Sequence, residues 1–280
     1  MSRPLLRQPA SEGRPRKRFG QHFLAPAWAD KVVRAIAPSR DDRFLEIGPG
    51  QGALTTRLAA RAGHVTGIEI DRDLAAGLKT QAPPNVAIIV GDILDLELAP
   101  FLALGPLRVA GNLPYNISSP ILFKLLADAR ADAASARPGL LDATVMLQLE
   151  VADRLVASPS TKDYGVLTIF TGVQADVKRL LTLPPGAFRP APKVHSAVVR
   201  LTFKPSLVQA GRDALFERMV RTMFMQRRKT LLNALRPFAE SIGRPAGDVL
   251  AAADINPIRR PETLSQEDLL RLLSVVSAKA

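Results

Sequence analysis

Residues 43–62 read RFLEIGPGQGALTTRLAARA, a short apolar strand, a glycine turn and a helix-like segment in direct succession. Glycines in such a turn let the backbone approach a ligand closely and adopt angles closed to other residues. The same alternation continues outward. HVTGIEI (64–70) precedes RDLAAGLKT (72–80), NVAIIVGD (85–92) and PLRVAGN (106–112) follow, SSPILFKLLADA (118–129) is the next helix, and ATVMLQLE (143–150) is a further strand. Strands alternating with helices predict a parallel α/β sheet. Ligands of open parallel sheets bind beyond the carboxyl ends of the strands, which directs attention to Glu46 to Gly52, Glu69, Asp92 and Asn112 to Tyr115.

Further along, EVADRLVAS (150–158) reads as helix. YGVLTIFTGVQ (164–174) is ambiguous, because Val166, Ile169, Phe170 and Val173 form a helical stripe while the β-branched content suits a strand; helix is preferred. ADVKRLLTLP (175–184) and VHSAVVRLTF (194–203) predict two strands joined by the proline-rich PGAFRPAPK. After Lys204 the strands cease, and 206–280 reads as helices separated by proline. The expected organisation is a basic disordered tail over 1–15, a cofactor-binding catalytic domain over 16–205 and a small helical domain over 206–280.

With 280 residues, 47% of them apolar, the chain has ample material for a buried core. No run approaches the eighteen or so apolar residues that a spanning helix requires, and the N-terminal segment lacks the apolar centre of a signal peptide, so a soluble, cytoplasmic protein is expected. It contains no cysteine, which excludes disulfides, thiolate nucleophiles and cysteine zinc sites. His22, His64 and His195 lack metal-ligand spacing, and no metal is expected. The formal net charge is +12, and residues 1–18 concentrate Arg3, Arg7, Arg14, Arg16, Lys17 and Arg18 against Glu12 alone. A second basic cluster, Arg227-Arg228-Lys229, follows a segment in which Leu215, Phe216, Met219, Val220, Met223 and Phe224 recur at helical spacing. Two separated basic elements favour a polyanionic partner bound through phosphates.

The loop Gly48-x-Gly50-x-x-Ala53 is compatible with either a nicotinamide cofactor or S-adenosylmethionine, and also with a turn that only connects elements. Glu69, at the end of the second strand, can accept from both hydroxyls of a ribose. Asp92, at the end of the third, is placed to accept from an adenine amino group or to cap the following turn. Asp71 reads as the cap of RDLAAGL. The fourth strand ends in Asn112-Leu113-Pro114-Tyr115, and this tetrapeptide discriminates. The exocyclic amine of adenine is a poor nucleophile because its lone pair is delocalised into the ring. A side-chain amide oxygen from Asn112 and a rigid backbone carbonyl, both accepting from the amine hydrogens, localise that lone pair as positive charge develops. Pro114 fixes its own φ and biases Leu113 toward an extended conformation, and Tyr115 offers a ring for an extruded base. No strong general base is required.

The segments KRFGQHFL (17–24), LEIGPGQGALT (45–55), IEIDRDL (68–74), GNLPYNISSPILFKLL (111–126), FRPAPKVHSAVVRL (188–201) and QRRKTLLNAL (226–235) together resemble the ribosomal RNA adenine N6,N6-dimethyltransferases over nearly the whole chain from about Arg16. The resemblance implies a Rossmann-like S-adenosylmethionine-dependent methyltransferase fold with a small C-terminal helical domain. It implies dimethylation of two adjacent adenosines near the 3′ end of small-subunit ribosomal RNA within an assembling subunit, by an enzyme expected to be monomeric. Carried over position by position, it implies cofactor contacts at His22, Leu24, Gly48, Glu69, Asp92 and Asn112, to which the loop adds Gly50. The target-base clamp falls on Asn112, Leu113, Pro114 and Tyr115, with Phe188 resembling a second stacking ring. Arg16, Lys17, Arg18, Lys193, Arg227, Arg228 and Lys229 become candidate RNA contacts. Two positions depart from the family's usual pattern: His22 replaces a common asparagine, and Leu149 stands where many relatives carry lysine, with Arg154 and Arg179 nearby. The rivals are a large-subunit adenine N6-methyltransferase of the antibiotic-resistance type, against which the long helical region and QRRKT argue, and a non-catalytic ribosome-assembly factor, which has no need of Glu69 or the NLPY set.

Overall fold

A computed structural model describes residues 22–133 and 139–278 of the chain. Its strands are β1 (Phe23–Leu24), β2 (Arg43–Ile47), β3 (His64–Glu69), β4 (Val86–Val90), β5 (Leu107–Asn112), β6 (Leu140–Gln148), β7 (Ala175–Leu183), β8 (Phe188–Arg189) and β9 (Ser196–Phe203). Seven of them form one sheet in the order β4-β3-β2-β5-β6-β9-β7, and β1 and β8 form a separate two-stranded ribbon. The strands from β2 to β6 pair in parallel, and β9 runs antiparallel to both β6 and β7. The predicted strands at 175–184 and 194–203 are thus present, as the far edge of the sheet.

The strand order decides where a site can lie. The chain lays β3 and β4 to one side of β2, then returns to place β5 and β6 on the other. The loops after β2 and β5 therefore leave neighbouring strand ends in opposite directions and open a crevice between them. Close approach of these two strands depends on Gly111, where an added Cβ would sit 2.6 Å from the Ile47 carbonyl oxygen. Ile47 and Gly111 are partners in the register, so Gly48 and Asn112 follow side by side.

Both faces of the sheet are covered, which is why its inner strands read as apolar runs rather than as alternating patterns. Leu45, Val109 and Val145 pack under Ile121, Leu122 and Leu125 of the helix Ser118–Ala133 on one face. Phe44, Val65 and Val198 pack with Val32, Val33 and Ile36 of the helix Pro26–Ile36 on the other. Arg72–Gln81 begins at Asp71, whose carboxylate accepts from the backbone N–H groups of Asp73 and Leu74, so the expected N-cap is formed.

A third apolar cluster joins the helices Asp213–Met225, Leu231–Ser241, Ala246–Ala252 and Gln266–Ser277. It also recruits Tyr164, Ile169, Phe170 and Val173 from before the last strand. Those residues belong to or flank the helix Val166–Gly172, in agreement with the helical reading of that stretch. Its mixed pattern has a physical origin: Ile169 and Phe170 enter the helical cluster while Leu167 packs against the sheet, so the segment is apolar on two sides. Prolines do not simply separate the C-terminal helices. Pro237 lies inside Leu231–Ser241 on the exposed side, where water can satisfy the Asn233 carbonyl that loses its N–H partner.

Candidate active site

The carboxyl ends of β2, β3, β4 and β5 surround a cleft of about 300 Å³, at the lower end of the ~300–1,000 Å³ typical of small-ligand sites. His22, Leu24, Gly48, Gly50, Glu69, Asp92, Asn112, Leu113, Pro114 and Tyr115 all line it. Residues separated by up to some ninety positions in sequence are brought to one place by the reversal in strand order.

The glycine loop is held from inside this cleft. Gly48 and Gly50 have φ of 65° and 57°, angles that disfavour a residue with a side chain. The Gly50 N–H donates to one oxygen of Glu69 at 2.9 Å, and the Asp71 N–H donates to the other at 2.9 Å. Glu69 thus braces the loop across the sheet end, and burial raises its carboxyl above the ordinary range against the pull of those two backbone donors. Asp92 accepts from the Leu94 N–H at 2.9 Å, so its turn-capping role is realised while it also faces the cleft.

At the end of β5 the side chain of Asn112 is oriented by its own amide. Its Nδ2 donates to the His22 carbonyl at 2.7 Å, and its Oδ1 is buried with no hydrogen-bond partner among the described residues. Leu113 is buried, and its N–H donates to Met146 of β6. The Pro114 carbonyl accepts from the Ile117 N–H, which closes a turn into the helix beginning at Ser118. The Tyr115 ring stacks on the His22 ring with centroids 5.4 Å apart and planes inclined by 27°. His22 Nδ1 donates to the Pro190 carbonyl, so this ring is tied to the 188–196 segment as well.

Phe188 departs from the expectation. The resemblance implied a second stacking ring, but Phe188 has no exposed surface, does not line the cleft, and packs with Val33, Leu58 and Val198 on the sheet face. The cause is register: Phe188 pairs with Leu24 in the β1–β8 ribbon, which turns its side chain into the core. Lys193 is exposed in the segment whose Pro190 carbonyl and Ser196 hydroxyl touch cleft side chains.

The basic cluster lies in the helical region, away from the cleft, and its three members differ. Arg227 is tied to Glu262 at 2.9 Å and donates to the Lys162 carbonyl, whereas Arg228 and Lys229 are exposed. Arg228 shares a surface recess with Arg260 and Lys162, two cations the sequence reading passed over. Near Leu149, Arg154 pairs with Glu150 and Arg179 pairs with Asp153, so both carry an acidic neighbour. Arg16, Lys17 and Arg18 lie outside the described residues. Among the described residues no group of three or more acids and histidines is placed to hold a metal ion, and no helix is long and apolar enough to cross a membrane.

Two residues, one lining the cleft and one behind it, had no assigned role. Glu46, inside β2, is buried at 2% exposure, and its Oε2 makes no hydrogen bond of ordinary geometry among the described residues; burial pushes its carboxyl up to about 7 against the pull of the neighbouring Thr55 hydroxyl, the charge on Glu69 adding to the rise. An acid inside the apolar run RFLEI was the available signal. Ser196, fully buried at the start of β9, meets the Tyr115 hydroxyl at 2.5 Å.

Comparison with known proteins agrees with this geometry. The family described as Ribosomal RNA adenine dimethylase matches residues 13–272. A protein named Ribosomal RNA small subunit methyltransferase A from Chromohalobacter salexigens is 44% identical over 283 residues, covering 98% of this chain and 95% of that protein. Its namesake from Aromatoleum aromaticum is 44% identical over 273 residues, covering 96% and 97%. Among solved structures, a dimethyladenosine transferase from Plasmodium falciparum superposes with a TM-score of 0.74 at 28% identity, covering 90% of this chain and 96% of that one. The 23S rRNA methyltransferase ErmE superposes with a TM-score of 0.65, also at 28% identity, covering 91% and 100%. With the cleft, the sheet and all but the end of the last helix inside the matched span, the chain belongs to the ribosomal RNA adenine dimethylase family.

Proposed function

We propose that this protein dimethylates the N6 atoms of two adjacent adenosines near the 3′ end of small-subunit (16S) ribosomal RNA, with S-adenosyl-L-methionine as donor, during assembly of the small subunit in the cytoplasm. The observation that carries the reading is the state of Asn112: its amide nitrogen is occupied by His22, and its buried oxygen has no partner. A buried acceptor without a donor is costly unless a ligand supplies one, and an adenine amine does so.

The donor set fits the cofactor. Glu46 Oε2 is a second buried, unpartnered acceptor in the same cleft and suits the ammonium of the methionine half. Glu69 retains lone pairs for the ribose hydroxyls beyond those used by Gly50 and Asp71, and Asp92 stands where the adenine amino group belongs. When bound, the cofactor supplies an electrophilic methyl group. Asn112 Oδ1 then accepts one hydrogen of the target amine. The Leu113 carbonyl is the fitting second acceptor, because that of Pro114 is engaged by Ile117. Together they concentrate the lone pair on N6 and stabilise the charge that develops there. Tyr115 holds the base by stacking. Residues 206–280 serve as the RNA-binding domain, with Arg228 and Lys229 exposed for phosphate and Arg16, Lys17, Arg18 and Lys193 as further contacts.

The relatives at 44% identity, named for the small subunit, support this reading over the large-subunit alternative. Unmethylated small and large subunits incubated with methyl-labelled cofactor provide the test. Label should appear on two neighbouring adenosines near the 3′ end of the small-subunit RNA. Label confined to large-subunit RNA overturns the assignment, and tight subunit binding without label favours the assembly factor.

A further inference from the structure

We propose that Ser196 is a positioning residue for methyl transfer: its buried hydroxyl holds the Tyr115 phenol and so fixes the plane of the ring against which the target base stacks. The inference rests on the function proposed above, and adds a residue to it.

The two hydroxyl oxygens are 2.5 Å apart. Ser196 has no exposed surface, and the run it opens, SAVVRL, is otherwise apolar at its buried positions. A hydroxyl there is a cost to the core unless it has a partner, and Tyr115 is that partner. The mounting is rigid. Ser196 begins the central strand of an antiparallel trio, in register with Gln148 of β6 and with Leu183 of β7. Tyr115, by contrast, stands on the turn between β5 and the helix at Ser118. Among the described residues the other aromatic contact of the ring is stacking by His22, which resists tilting but leaves the phenol end free to swing. The Ser196 bond fixes that end, so the ring is referenced to the sheet rather than to its own loop. Tyrosine and buried serine form one unit: removing the serine strands a half-buried phenol, whereas removing the phenol leaves the serine with nothing to hold.

The test is a double-mutant cycle in the full-length chain, with S-adenosyl-L-methionine binding and methylation of unmethylated small subunits measured in parallel. Ser196→Ala should lower kcat about tenfold, the scale of one lost buried hydrogen bond, with KM for the subunit and the cofactor Kd within about twofold of wild type. The combined Ser196→Ala/Tyr115→Phe protein should be no slower than Tyr115→Phe alone. Losses that multiply, or a Ser196→Ala protein with unchanged kcat, overturn the inference. A purely structural role would lower Tm and add to the effect of Tyr115→Phe. A readout independent of turnover separates failure here from failure of the functional reading. With tyrosine rings labelled with carbon-13, Ser196→Ala should shift the Tyr115 signal and move its phenol titration to higher pH, since burial already raises it and Ser196 holds it down. An unmoved Tyr115 signal sinks the inference even if the protein methylates the expected RNA.

Discussion

The cleft at the strand ends and the basic surface of the helical region use polar groups in opposite ways. In the cleft several of the polar groups at the strand ends are held by the protein itself: Glu69 by two backbone N–H groups, the Asn112 nitrogen by His22, Tyr115 by Ser196. Two buried acceptors, Glu46 Oε2 and Asn112 Oδ1, are left without a hydrogen-bond partner among the described residues, and their fixed place in the strands makes them selective for a donor. On the helical surface the exposed cations Arg228 and Lys229 are placed to adapt to a phosphate backbone, whereas their neighbour Arg227 is committed to Glu262. Chemistry is assigned to fixed atoms and affinity to mobile charges. Changes in the cleft should therefore alter rate, and changes on the surface should alter salt-dependent binding.

The largest effect tests the limits of the cleft. Phe188→Ala should cost about 3–5 kcal/mol of stability, as expected for a fully buried phenylalanine, so thermal unfolding should reveal it before any assay does. A protein with unchanged Tm and lost methylation would return Phe188 to the base. Next, Asn112→Ala should slow methylation by ~10²–10³-fold, the range for removing one transition-state hydrogen-bonding group, while subunit binding stays within about twofold. Equal losses of both would make Asn112 a folding residue and erase the contrast.

Glu46→Gln probes the buried acid through pH. The carboxyl titrates at about 7 in the folded protein and at 4.5 as a free side chain, so at intermediate pH the folded state binds the extra proton. Wild-type stability, measured without cofactor, should therefore fall as pH rises from 4.5 through about 7, by up to ~3 kcal/mol on account of this group. In Glu46→Gln that pH-dependent loss disappears, and the Tm difference between the two proteins should shift in favour of the variant toward pH 8. Parallel Tm curves would show that Glu46 does not titrate in that window. The smallest effect lies on the surface. Neutralising Arg228 and Lys229 together should weaken subunit binding about tenfold and reduce the salt slope by roughly two, with kcat at saturation unaltered. Arg227→Ala should instead lower Tm with little change in slope, because it abandons Glu262; a slope change equal to that of its neighbours would place Arg227 in the interface.

What was legible in the sequence follows the same division. The strand–glycine–helix unit and NLPY announce themselves because local backbone requirements dictate their residues: positive φ at Gly48 and Gly50, and a proline-stiffened turn after Asn112. Residues whose role depends on distant pairing were not legible. Phe188 in FRPAPK was read by resemblance as a stacking ring, and its pairing with Leu24 sends it inward. Arg227 is indistinguishable from Arg228 until Glu262 is folded against it. Ser196 reads as an ordinary strand residue until Tyr115 arrives from another loop.

The small ribbon of β1 and β8 carries a consequence for biosynthesis. The hydrogen bond from His22 to Pro190 spans 168 residues of chain, and Asn112 leans on the same histidine's carbonyl. Contacts of such long range form late, since the entropy of closing the loop precedes any return from the contact. A nascent chain that has emerged from the ribosome only as far as NLPY thus has the residues of the clamp without its support. The cleft becomes competent only after the 188–196 segment has been made, so partly synthesised copies of this methyltransferase should be inert toward the ribosomal RNA around them.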